Sequence, residues 1–167
     1  MAEWNAAEYH RLSNPQMDWG TRLLEQLPAR ATDTVLDAGC GSGRLTLDLA
    51  ARIPRGRLIA LDLSHNMVSK AREQLAGVAI PVLVANATLT ALPLAHAVDG
   101  IFSNAVFHWI KNHDRLFAEL FRALKPGGWL LAQCGGGPNL ERTRSRARRL
   151  VSHPDFLPYL NLMREAQ

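Results

Sequence analysis

Apolar and polar positions along the chain fall into short apolar runs that alternate with amphipathic stretches. Thr34–Ala38 reads as a buried strand, and the apolar positions that follow, from about Gly43 to Arg52, recur at helical spacing. Arg57–Leu61 is a second apolar run, after which Ser64 is placed to cap a helix continuing through Ala76. Ile80–Ala85 predicts a third strand despite Pro81 near its start, and Val98–Ser103 a fourth. Asn112 or Asp114 opens a helix that reaches Leu124, with Leu116, Phe117, Leu120, Phe121 and Leu124 on one face. "KPGG" (Lys125 to Gly128) stops that helix, and Trp129–Cys134 forms the fifth strand. Strands separated by helices in this way imply an α/β fold built on a doubly wound parallel sheet, with helices on both faces.

The rhythm changes after "CGGGP" (Cys134 to Pro138). Two short helical stretches remain, broken by Pro154 and Pro158, with no sixth strand in evidence. The expected organisation is an N-terminal helical cap segment over 1–30, a core over 31–137 and a C-terminal helical segment over 138–167. Such a core leaves the fifth strand as an edge with unpaired backbone groups, open to a homodimer or to cover from the last residues.

Composition narrows the class without choosing a function. The 167 residues are 47% hydrophobic and 20% charged, ordinary for a globular domain. The start, "MAEWNAAEYH", lacks the basic end and apolar core of a signal peptide, and no apolar run approaches the roughly 20 residues that cross a bilayer. Cys40 and Cys134 show no metal-like spacing, and the other expectations are a reducing, cytoplasmic setting and no bound metal. The net charge of +4 derives largely from "ERTRSRARR" (Glu141 to Arg149). Its arginines step around a helix axis, which fits a solvated helix better than an anion-binding face. The stretch also lacks the interleaved aromatics of a nucleic-acid site, so nucleic acid is not the expected partner.

The chemistry concentrates in "VLDAGCGSGRLTLDLA", Val35 to Ala50. Glycines at 39, 41 and 43 let the backbone approach a ligand, and the helix start beyond them offers free N–H groups. The dinucleotide pattern G-x-G-x-x-G would place a glycine where Arg44 stands. Asp37, at the carboxyl end of the first strand, would face a pyrophosphate with like charge but would favour a ligand that carries a cation. Asp62 closes the second strand in "LIALDLS" (Leu58 to Ser64), where a carboxylate can accept from both hydroxyls of a ribose. Taken alone, Asp62 could also cap the following helix, but with the glycine turn at the expected separation the ribose reading is preferred.

"VLDAGCGSGRLT", "LIALDLSHNMVSKA", "ALPL", "VDGIFSNAVFHW" and "LKPGGWLLAQ", in this order, resemble the class I S-adenosylmethionine-dependent methyltransferases. "HW" after the fourth strand and "YHRLSNPQMDWG" near the start are similar to the trans-aconitate methyltransferase-like group of small-molecule enzymes. The resemblance extends to about Gly137 and implies a Rossmann-like sheet of strand order 3-2-1-4-5 that lacks the last two strands of the family. It implies that Asp37 and the backbone of Gly39, Cys40, Gly41 and Gly43 surround the methionine part of S-adenosylmethionine. Asp62 would then take the ribose, while Leu63 and Met67 pack against adenine. Asn86 and Ala87 stand where the family usually carries Asp-Ala at the adenine edge, so this contact is made by an amide that still offers an acceptor oxygen. Asn104 would border the methionine end and the transferred methyl.

On the substrate side the resemblance points to Tyr9, Gln16 and Trp19, on a segment that closes over the site in similar enzymes, and to His108 and Trp109. Packing of the aromatics onto the domain explains Trp4, Tyr9 and Trp19 equally well. His108 is a candidate base for a hydroxyl acceptor; a carboxylate acceptor needs none at neutral pH. The expected activity is in-line methyl transfer to a small molecule. A cofactor-binding module without catalysis is the alternative, and a nicotinamide-dependent oxidoreductase a weaker one.

Overall fold

The computed structural model describes residues 14–136, with side chains from residue 17, together with 145–146, 149–150 and 153–155. In chain order the elements are α1 (Asn14–Leu24), β1 (Thr34–Ala38), α2 (Arg44–Arg52), β2 (Arg57–Asp62) and α3 (His65–Leu75), then β3 (Val82–Asn86), β4 (Val98–Asn104), α4 (His113–Ala123) and β5 (Leu124–Gln133). A 3-10 turn, Phe107–Trp109, lies between β4 and α4. The five strands make one parallel sheet in the order β3-β2-β1-β4-β5, the arrangement that the alternating pattern and the family resemblance imply.

Alternation along β1 shows why helices cover both faces. Val35 packs with Leu49 of α2 and Ile53 just beyond its end, and with Leu23 and Leu24 of α1. Its neighbours Leu36 and Ala38 face the other way, towards Leu116 and Leu120 of α4. Parallel strands buried on both faces need continuous apolar runs, and β1 and β4 supply them. On the first face Ala60 of β2 meets Ala71 and Leu75 of α3.

Several boundaries move for identifiable reasons. The third strand begins at Val82 and not at Ile80, because Pro81 has no N–H for the ladder; its carbonyl accepts from Leu58 N at 3.0 Å. Asn112, one of two candidates, caps α4, accepting from Arg115 N at 2.9 Å. The largest change is at "KPGG". Helix α4 ends at Ala123, and β5 starts immediately at Leu124, so the segment expected to separate helix from strand lies inside the strand. Val98 pairs with Leu124 and Gly100 with Trp129, so the short β4 interval is matched by a longer one in β5. This irregularity absorbs Pro126 and the left-handed Gly127 (φ 76°), residues a regular strand would not hold. Lys125 reaches both oxygens of Asp99 from the same segment at 2.8 Å, and Asp99 Oδ2 also accepts from Thr34 N at the start of β1. β5 lies at one edge of the described sheet.

The chain divides into two units, Met1–Cys134 and Gly135–Gln167. In the second, helical backbone is described at 145–146 and 149–150, and a turn at 153–155. Most of the basic stretch Glu141–Arg149 lies outside the described residues, as do Trp4 and Tyr9. No helix among the described residues is long and apolar enough to cross a membrane.

Candidate functional site

In a parallel sheet the strands deliver their carboxyl ends to one edge, and the loops leaving β1, β2, β3 and β4 meet there. The turn after β1 is built by backbone geometry before any side chain contributes. Gly39 N and Cys40 N both donate to Leu61 O, at 2.8 and 2.9 Å, tying the turn to the end of β2. Gly39 has φ 88°, and a Cβ there would lie 2.3 Å from Val106 Cγ2, so both conformation and space require glycine. Gly43 caps α2 in the left-handed region, and a Cβ on it would approach Ala71 Cα of α3 to 3.1 Å.

Asp62 braces this turn. Its Oδ2 accepts from Gly41 N and its Oδ1 from Ser64 N, each at 2.9 Å, so one carboxylate joins the loops after β1 and β2. Ser64 in turn caps α3, its Oγ accepting from Met67 N at 3.4 Å. The two readings of Asp62 are thus not exclusive: it organises the loops, and a carboxylate oxygen can accept from more than one donor.

Asp37 is buried within β1, 3% exposed. Thr46 Oγ1, fully buried on α2, donates to Asp37 Oδ2 at 2.7 Å. Burial pushes the Asp37 carboxyl up to about 7; the Thr46 hydrogen bond opposes that rise, and the Asp62 charge adds to it. Near neutral pH the group is therefore shared between its acid and its anion, and a cation brought beside it would favour the anion. Burial, with the two aspartates, also pushes the Cys40 thiol far up, which keeps it an unreactive apolar wall.

Asn86, at the end of β3, donates its amide N–H groups to Leu63 O at 2.7 Å and Asp62 O at 3.1 Å. Ala87 N also donates to Asp62 O, at 3.0 Å. The amide orientation is fixed by these two carbonyls, which leaves Oδ1 as the outward acceptor. Leu63 is 48% exposed beside it, an apolar surface uncommon at a strand end, whereas Met67 is buried.

A cleft beside the turn is lined by Asp37, Gly39–Ser42, Arg44, Leu45, Phe102, Asn104 and Met17. The structure thus brings Asp37, Gly39, Cys40, Gly41 and Asn104 together in one wall, with Asp62, Leu63, Asn86 and Ala87 on the adjoining loops. Trp19, His108 and Trp109 are outside that lining; His108 and Trp109 are exposed with their ring centroids 4.9 Å apart. Desolvation holds the His108 imidazole below the usual histidine value. Tyr9 and the Gln16 side chain lie outside the described residues. Among the described residues, no cluster of three or more His, Cys, Asp or Glu could hold a metal ion.

Sequence reasoning passed over Thr46, Arg44 and Met17 as site residues. Thr46 carried a signal, being a polar residue on the otherwise apolar buried face of α2. Met17 carried none, since its place depends on how α1 folds over the sheet.

Sheet order, glycine turn and paired carboxylates define a nucleotide-binding α/β domain of the methyltransferase type. The family model described as "Methyltransferase domain" matches residues 36–132, and the chain belongs to that family. Trans-aconitate 2-methyltransferase of Methylobacterium nodulans is 36% identical over 157 residues, covering 93% of this chain and 58% of that protein. The enzyme of the same name from Methylobacterium radiotolerans is 37% identical over 152 residues, covering 91% and 56%. The chain therefore spans little more than half the length of these relatives. A crystal structure of a SAM-dependent methyltransferase from Aquifex aeolicus superposes with a TM-score of 0.69 at 25% identity, over 83% of this chain and 80% of that one.

Proposed function

We propose that the chain binds S-adenosylmethionine at the carboxyl edge of the sheet and directs its methyl to a small carboxylate acceptor. The observation that carries this reading is the pair of acids on adjacent strands around a glycine turn: Asp37 buried beside the cleft, Asp62 bracing the turn. The donor set fits the cofactor. Asp37 is a carboxyl whose ionised form a neighbouring cation would stabilise, and Asp62 is a carboxylate at the end of β2, an acceptor type suited to ribose hydroxyls. Asn86 Oδ1 is an acceptor for the adenine amino group, and exposed Leu63 supplies an apolar surface for its ring. A pyrophosphate would meet Asp37 with like charge, which disfavours a nicotinamide dinucleotide.

When bound, S-adenosylmethionine supplies a methyl group already activated by its sulfonium. The chain's own contribution is then to hold and orient: the glycine turn and Asn104 shape the methionine end, and Phe102 and Leu45 restrict water in the cleft. A carboxylate acceptor arrives deprotonated and needs no base. That requirement agrees with a cleft lining that contains no histidine among the described residues, and the names of the relatives support the same acceptor class.

Calorimetric titration of the purified chain with S-adenosylhomocysteine tests the cofactor, with NAD as control and Asp62→Ala as second protein. Micromolar binding, lost in Asp62→Ala and absent for NAD, is expected. Transfer of a labelled methyl group to trans-aconitate then tests the acceptor. Cofactor binding without transfer to any carboxylate would leave a binding module in place of an enzyme.

A further inference from the structure

The two edges of the sheet are finished differently. At the β3 edge, Pro81 O accepts from Leu58 N, so strand alternation points Val84 O outward. That carbonyl is occupied: Nε and Nη2 of Arg72 donate to it at 3.3 and 3.1 Å, a charged side chain set along an edge. At the β5 edge, Gln133 O accepts from Ala105 N at 2.7 Å. Alternation therefore turns Trp129, Leu131 and Gln133 towards β4, and the N–H and C=O groups of Leu130 and Ala132 away from it. Among the described residues, no strand and no side chain meets those outward groups.

An apolar strip flanks the same edge. Trp129 and Leu131 pack on the α1 and α2 side of the sheet, so Leu130 faces the α4 side, where it is exposed. Helix α4 lays Leu116, Leu120 and Ala123 on the sheet. On one flank, Arg115, Glu119 and Arg122 bond to the β3–β4 connection at Thr90 and Leu92. That connection lies over β1 and β2, with Leu89 and Leu92 clustered with Leu36 and Leu61. The opposite flank, on the β5 side, carries Phe117 and Phe121 one turn apart. Both are exposed, Phe121 at 79%. Charge thus sits on the inner flank and bare aromatic surface on the outer one, the reverse of a helix whose outer flank only meets water.

We infer that β5 is an interaction edge for a second copy of this chain, the two β5 strands pairing antiparallel about a two-fold axis. A two-fold axis makes such an edge its own complement: the outward N–H and C=O groups of Leu130 and Ala132 meet the same groups of the other copy, donor to acceptor. An axis normal to the sheet sets both α4 helices on one face, where Phe117 and Phe121 of one copy meet those of the other. The area suits a weak dimer. The phenylalanines and Leu130 offer on the order of 300 Å² per copy, and the paired backbone brings two copies to roughly 1,000 Å², the low end of specific interfaces. The carboxyl edges of the two sheets then open at opposite ends, and each copy keeps its own cleft. This inference stands apart from the cofactor reading.

Sedimentation velocity of the purified chain, from low to high micromolar concentration, tests it. A reversible monomer–dimer equilibrium in the micromolar range is expected. Phe121→Lys sets like charges against each other across the axis and should weaken the dimer at least about tenfold. Ala132→Pro removes an outward N–H, leaves the ladder to β4 intact, and should weaken it likewise. Leu83→Lys, at an exposed position of the β3 edge, should leave the dimer unchanged. Thermal melts show which variants are folded, and should Ala132→Pro fail to fold, Phe121→Lys still decides. A chain that stays monomeric overturns the inference; slow hydrogen exchange at Leu130 and Ala132 would then show the edge covered from within the same chain. A dimer that Phe121→Lys leaves intact, or that Leu83→Lys dissolves, overturns its placement at β5.

Discussion

Thr46 Oγ1 and Asp37 Oδ2 are 2.7 Å apart inside the fold, a hydroxyl of α2 held against a carboxyl of β1. This contact opposes the burial that drives the carboxyl towards its neutral form. Thr46→Val keeps the shape and removes the donor. It is expected to raise the Asp37 pKa further and move the pH midpoint of S-adenosylhomocysteine binding in the alkaline direction. Thr46→Ser, which keeps the hydroxyl, should restore the midpoint. A binding profile from pH 5 to 9 reads the shift, and an unmoved midpoint in Thr46→Val would remove Thr46 from the account of the site.

Asp37 also makes the stability of the fold depend on pH, with a definite sign. Its folded value, about 7, lies above the ordinary carboxyl value of 3.8. Between these limits the folded state holds a proton that the unfolded state has released, so stability falls as pH rises through this window and levels off above it. Asp37→Asn preserves the acceptor for Thr46 and cannot ionise. Its unfolding free energy is expected to exceed that of the wild type by a margin that widens from pH 4 to pH 7, reaching a few kcal/mol. Denaturant melts at several pH values measure the margin; a constant margin would show that Asp37 ionises normally.

The same variant should bind the cofactor poorly. A ligand cation beside Asp37 favours the anion, so below pH 7 binding to the wild type releases a proton and weakens by up to about tenfold per pH unit. In Asp37→Asn the profile should be flat and the affinity low throughout. Titrations in buffers of different ionisation enthalpy count the released proton directly.

Asp62→Ala removes the acceptor for two backbone amides, Gly41 N and Ser64 N, in separate loops. Each loop then loses an ordering contact, and the expected destabilisation is about 1–3 kcal/mol. Loss of binding should exceed what that destabilisation explains. Hydrogen exchange is expected to show faster exchange at both Gly41 and Ser64, whereas an effect on a ribose contact alone would leave the amides of the ligand-free protein unchanged.

Asn86→Asp restores the residue common at this place in the resembling enzymes and is expected to weaken binding here. The carboxylate has no N–H for Leu63 O or Asp62 O and would place negative charge against both carbonyls. Roughly a tenfold loss of S-adenosylhomocysteine affinity is expected, with little change in melting temperature because the position is exposed. Unchanged or improved affinity would show that the amide clamp is dispensable.

The alternation of apolar runs was enough to read the sheet and its helices, because parallel strands buried on both faces leave a continuous apolar trace at β1, β2 and β4. The glycine turn and the two aspartates were legible for a related reason: chemistry fixed to strand ends has a fixed separation in sequence. The strand across Lys125–Gly128 was not legible. Proline and glycine spell a stop locally, and only pairing with β4, remote in the chain, accommodates them within β5. The clamp by Asn86 and the buried donor Thr46 depended on which backbone groups the folded loops expose, a matter of tertiary geometry that residue type alone does not encode.

The amide of Gly41 is satisfied by a side chain 21 residues further on, and the preceding two amides of the turn by a carbonyl of the same distant strand. The glycine-rich segment is therefore not a portable part. A synthetic peptide of Val35 to Ala50, or the same residues grafted into a foreign loop, would carry every letter of the motif and none of its shape. The smallest transferable piece must carry β1, α2, β2 and the turn beyond, so that the motif is inherited and engineered as a pair of strands.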